Sequence, residues 1–120
     1  MPSNDDLYRD EHRHIRTYSG NKFYLFSKDT SAIQLTDITR ALSHTSRFSG
    51  MTSRFYSVAE HSILVGHLVA RITSNPNTVL QALMHDAPEA YLTDIPSPFK
   101  GALKNFRTLE DNVWERIATK

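Results

Sequence analysis

The run His85-Asp86-Ala87-Pro88-Glu89-Ala90-Tyr91-Leu92-Thr93-Asp94 sets a histidine and three carboxylates inside an otherwise apolar helical stretch. Such groups are costly there unless something pairs them, and a divalent metal and a phosphate ester are the natural partners. Ser57-Val58-Ala59-Glu60-His61-Ser62 offers one more imidazole from a separate helix. Two imidazoles and a carboxylate, with no thiolate, suit a catalytic divalent ion. Neighbouring side chains on a helix diverge by about 100°. His85 and Asp86 can therefore share an ion only if it lies between their directions, and His61 is the evident source of a further ligand. Glu89 follows on the same face one turn later, where it can reach a water near the metal without being a ligand. Asp94 falls where the helix ends at Ile95-Pro96, so it can lean back over the site. Arg47 precedes the His61 helix, and its forked guanidinium suits a phosphate.

The elements that must position these groups are mostly helical. Residues 1–14 mix charges of both signs and read as a flexible segment, leaving one domain over residues 15–120. Ile15 to Tyr18 and Phe23 to Phe26, joined by Ser19-Gly20-Asn21, read as a short β-hairpin. Thr36 or Asp37 can cap a helix to about Ser43, with Ile38, Ala41 and Leu42 on one face. A Ser- and Arg-rich loop over 46–56 follows. Ser57 with Glu60 forms a capping-box pattern opening a helix to about Thr73, with Val58, Ile63, Leu64, Leu68 and Ile72 expected inside. Ser74 to Asn77 reads as a turn. A third helix is expected over Thr78–Tyr91, with Val79, Leu80, Leu83 and Met84 inward, before Pro96 and Pro98 break the chain. The last helix, about Phe106 to Thr119, carries Leu109, Val113, Trp114 and Ile117 as core. The fold class is mainly α.

Composition narrows the chemistry. At 120 residues the chain has room for one small domain. It has 14 basic and 13 acidic residues, so binding nucleic acid by bulk charge is not supported. The absence of cysteine removes disulfides, thiolate metal sites and cysteine nucleophiles together. A mean hydropathy of −0.45 implies a wet surface. No stretch approaches the roughly 20 apolar residues that span a bilayer, and Met1 to Asp10 lacks the apolar core of a signal peptide. The expectation is a soluble, cytoplasmic protein with no membrane partner.

Four segments together carry a family resemblance: Arg47-Phe48, Tyr56 to Ser62, Ala82 to Tyr91, and Thr93 to Lys100. In order and spacing they resemble the HD-domain phosphohydrolases, in particular the small bacterial and phage branch related to 5'-deoxynucleotidases. The resemblance covers about residues 15–120. It implies an HD-domain helical bundle and a divalent metal, of the Mn, Co, Zn, Mg or Fe type, held by His61, His85 and Asp86. It implies that Glu89 handles the attacking water, that Asp94 is the acid toward the leaving oxygen, and that Arg47 holds the phosphate. Phe48 stands where the deoxynucleotidases carry a tryptophan that helps exclude a ribose 2'-hydroxyl.

The family motif closes with a further aspartate ligand well downstream, and no aspartate stands at that distance here. The expectation is a domain incomplete at its C-terminus. Either three ligands suffice, or Asp111 or a partner subunit's carboxylate fills in. Loss of a late helix would expose core and favour a homo-oligomer. The expected function is release of phosphate from nucleoside monophosphates. The alternatives are a dNTP triphosphohydrolase and, in another class, a weakened HD remnant serving as a nucleotide-binding or regulatory module. A 2-His-1-carboxylate iron oxygenase fits the residue types loosely, but adjacent His and Asp on a helical chain argue against it. Lys100 could assist a phosphate but reads first as an exposed lysine, and Trp114 reads as core or interface. His44 is a residue that can approach the site through its loop.

Overall fold

The computed structural model describes residues 13–120; the expected flexible segment lies almost wholly outside them. The hairpin forms as β1 (His14–Arg16) and β2 (Lys22–Tyr24), antiparallel, with Ile15 opposite Phe23. Gly20 supplies the left-handed φ of 92° that its turn requires. Phe23 is buried and stacks on Tyr91 with ring centroids 4.2 Å apart, which docks the hairpin on the helices.

Helix α1 (Leu35–His44) begins after Gln34, which makes no side-chain cap. Asp37 is not the cap expected from the sequence. Its buried carboxylate instead accepts hydrogen bonds from the Ser19 N–H (2.8 Å) and hydroxyl (2.7 Å), tying the hairpin turn to α1. A single 3-10 turn (Arg47–Gly50) follows, then α2 (Val58–Ala70). The Ser57–Glu60 capping box is present, with the Glu60 N–H donating to Ser57 Oγ at 3.1 Å. Helix α3 (Pro76–Met84) starts with Pro76 in its first turn and with Asn75 accepting from the Asn77 N–H, so the expected turn ends sooner than its sequence suggests.

The helix expected over Thr78–Tyr91 is in fact two. It stops at Met84, passes through a turn over His85–Pro88, and resumes as α4 (Glu89–Leu92). Pro88 explains the break, because it has no N–H to give and its ring would clash with the Met84 carbonyl. The turn tightens, with the Ala87 N–H donating to the Met84 carbonyl at 2.9 Å. A short α5 (Ser97–Lys100) and a long α6 (Phe106–Thr119) complete the chain.

The buried core joins Phe23, Ile33, Ile38, Leu42, Val58, Ala87 and Val113, with Trp114 and Ile117 packed against it. Val58 and Val113 are inside as expected. Ile63, Leu64, Leu68, Ile72 and Leu80 are not; each is at least half exposed, and Leu83 also reaches the surface. The buried positions of α2 beyond Val58 are the small residues Ser62 and Gly66. A Cβ on Gly66 would sit 2.5 Å from Leu83 Cδ2, so α2 and α3 pack through small residues and their large aliphatic side chains turn outward. Arg116 is buried in α6. It donates from Nε to the Asp29 carbonyl (3.0 Å) and from Nη1 to the Tyr24 carbonyl (2.9 Å), clamping α6 to the hairpin. Among the described residues no helix is long and apolar enough to cross a membrane.

Candidate metal and anion site

His61 lies one turn into α2, where the Ser57 cap fixes the helix start. His85 closes α3 and Asp86 begins the turn that Pro88 enforces. The turn resolves the divergence that an unbroken helix would impose on adjacent side chains. Asp86 Oδ2 lies 3.1 Å from His85 Nε2 and 3.5 Å from His61 Nε2. The three residues each offer a ligand atom, and these atoms fall within 4.8 Å of one another.

The donor set fits a divalent cation. His85 Nδ1 is 2.7 Å from the Ala82 carbonyl, which assigns the ring proton to Nδ1. Nε2 then presents a lone pair toward Asp86. Asp86 Oδ2 is itself buried without a hydrogen-bond donor. Lone pairs converging on one point repel unless a cation stands between them, and the Ala82 carbonyl behind His85 is the outer-shell support usual for a ligating imidazole. Burial, helped by the nearby Arg47 charge, holds the His61 pKa below its ordinary value, which favours the neutral ring a metal needs.

Glu89 opens α4 with its side chain 4% exposed, and its Oε2 has no hydrogen-bond partner. Burial, then the charges of Asp86 and Asp94, push its pKa up to about 8. Thr93 takes a left-handed φ of 77°, strained for a β-branched residue, and so turns the chain to deliver Asp94. The Asp94 carboxylate accepts from the Phe48 N–H at 3.2 Å and lies 3.7 Å from Arg47 Nη1. Phe48 and Ser49 are also left-handed, which bends the 3-10 turn tightly. The Arg47 guanidinium lies over the Phe48 ring at 4.6 Å.

All seven residues singled out from sequence line one cavity of about 300 Å³: Arg47, Phe48, His61, His85, Asp86, Glu89 and Asp94. Lys100 lines it as well, although its sequence position reads as exposed. Its side chain is only 17% exposed. The available signal is its place one turn after Pro96, in the helix that leaves the site. Asp111 lies outside the ligand group, in a neighbouring cavity with His85, Arg107, Glu110 and Trp114. His44 lines another cavity with Asp37, Arg40 and Tyr91. A cavity combining a candidate cation site, a buried carboxyl and two basic side chains has the groups to bind an anion and move a proton beside it.

No family model matches the chain. It is 40% identical over 99 residues to Uncharacterized protein YfdR of Escherichia coli, covering 82% of this chain and 53% of that protein. It is 39% identical over 105 residues to an uncharacterized protein of Rhodobacter capsulatus, again covering 82% of this chain and 53% of the relative. The chain thus spans about half the length of the curated relatives it matches.

Proposed function

We propose that the chain is a metal-dependent phosphohydrolase acting on nucleotides, a 5'-(deoxy)nucleotidase of the HD-domain type that releases phosphate from nucleoside monophosphates. The observation that carries this reading is the convergence of His61, His85 and Asp86 in the cavity that also holds Glu89, whose buried Oε2 has no hydrogen-bond partner. These three residues would hold the ion; when bound, it supplies Lewis-acid polarisation and a more acidic water. Imidazole with carboxylate suits Mn²⁺, Co²⁺, Zn²⁺ or Fe²⁺.

Glu89 is the group that would orient the attacking water and accept its proton. The orphaned Oε2 gives it a free acceptor for that purpose. Burial raises its pKa to about 8 in the metal-free protein, and the carboxylate that accepts a proton is the form favoured beside a divalent ion. Asp94 would pass to the leaving 5'-oxygen a proton it receives from the attacking water by way of Glu89 or solvent. Its contacts to the Phe48 N–H and to Arg47 hold it beside the anion-binding side chain. Arg47 would counter the charge developing on the phosphoryl oxygens. Phe48, packed under that guanidinium, would meet the sugar.

The test is phosphate release from a panel of nucleoside mono- and triphosphates with Mn²⁺ or Co²⁺, alongside metal titration followed by thermal unfolding. Monophosphate turnover and a metal-dependent rise in Tm are expected, both lost in His85→Ala. A wild-type protein that takes up no divalent metal would overturn the reading. Metal uptake without turnover of any phosphate ester would leave a binding module in its place.

A further inference from the structure

We infer that Lys100 is a second anion-binding residue, which with Arg47 forms a two-cation cradle for the phosphoryl group in the cavity of His61, His85 and Asp86. The inference rests on the phosphohydrolase reading and adds a residue to its substrate site. Arg47 comes from the 3-10 turn before α2 and Lys100 from the end of α5, yet both side chains line the same cavity.

Charge balance favours a second cation. The wall holds three carboxylic residues, Asp86, Glu89 and Asp94. Asp94 is already close to Arg47, at 3.7 Å. A phosphate monoester brings about two further negative charges near neutral pH. Ionised Asp86 and Asp94 offset much of the charge of a divalent ion and Arg47, and Asp94 already engages Arg47. Lys100 tips the balance toward the anion.

Lys100 is held where it can act. Its Nζ lies 3.0 Å from Glu110 Oε2 and 6.0 Å from the centre of the Phe106 ring, so α6 fixes the end of the side chain. An ammonium has three donors, and Glu110 uses one. The others remain for a phosphoryl oxygen. The positive charge also reaches Glu89, whose carboxyl it favours in the ionised form against the stronger effect of burial. Lysine suits this place better than a second guanidinium fork, since a compact point charge can serve an oxygen in several orientations.

The experiment measures inorganic phosphate binding by calorimetry, and Mn²⁺ binding separately, on the full chain and on Lys100→Gln, Lys100→Arg and Glu110→Gln. Lys100→Gln is expected to weaken phosphate binding about tenfold, the scale of one charged hydrogen bond, with Mn²⁺ affinity unchanged. Lys100→Arg should keep most of the phosphate affinity. Glu110→Gln breaks the same ion pair but leaves the cation, so it should bind phosphate as tightly as wild type or more so. If Lys100→Gln binds phosphate like wild type, or Glu110→Gln loses as much affinity, Lys100 is only a tether between α5 and α6 and the inference falls while the metal reading stands. A wild-type chain that fails to take up Mn²⁺ removes the metal reading and this inference with it.

Discussion

At the scale of single residues, Glu89 carries the most distinctive physics. It is buried, its Oε2 has no hydrogen-bond partner, and its pKa is pushed up to about 8 against an ordinary 4.5. In the metal-free protein the folded state therefore keeps a proton that the unfolded chain gives up above pH 4.5. Stability from this group is present below about 4.5 and is lost as pH rises toward 8. Glu89→Gln keeps the shape and removes the charge. Metal-free Glu89→Gln should be more stable than wild type at pH 8, by about 1–3 kcal/mol, with the gap closing by pH 5. His61 has its pKa lowered and so works in the opposite sense, but it is common to both proteins and drops out of the comparison. Urea unfolding at the two pH values decides it; an equal gap at both would show that Glu89 is ionised throughout. The same variant should reduce phosphate release by about 10²–10⁴ if the carboxyl handles the water proton.

At the scale of elements, two helix boundaries build the site. The Ser57 cap starts α2 so that His61 faces Asp86, and Pro88 ends α3 so that His85 and Asp86 converge. Ser57→Ala removes the acceptor for the Glu60 N–H and should cost about 1 kcal/mol. It should also loosen metal binding, since the first turn carries His61. A fall in Tm with Mn²⁺ affinity untouched would mean that the first turn holds its place without the cap. The capping box was legible in sequence because it is local: two residues at fixed spacing and their own backbone. The break at Pro88 was harder to read. The apolar positions on both sides continue a helical pattern, and periodicity does not register one missing donor.

At the scale of the whole molecule, burial is uneven. The core gathers the hairpin, α1, the start of α2, α4 and α6, while the rest of α2 and α3 turns Ile63, Leu64, Leu68 and Leu80 outward. Leu64→Gln and Leu68→Gln should each cost less than about 1 kcal/mol, as surface substitutions do. Arg116→Ala should cost far more, about 2–4 kcal/mol, because it strips two carbonyls of their charged donor and frees the hairpin from α6. Chemical denaturation of the three variants gives the order directly, and a loss at Leu64 or Leu68 matching that at Arg116 would show that the α2–α3 face is buried in solution.

The sequence by itself determined the mainly helical class, the hairpin, the extent of α6 and the identity of seven cavity residues. The elements and six of those residues follow from short-range spacing and chemically demanding residue types; Phe48 follows from the family resemblance. Tertiary structure decided the rest. It turned Asp37 from a cap into the anchor of a distant turn, exposed half of α2, and drew Lys100 into the site. Each of these depends on which surfaces meet in space. A helix of leucines and isoleucines with small residues between them has two faces that can bury, and local pattern does not choose between them; the close approach of Leu83 to Gly66 does.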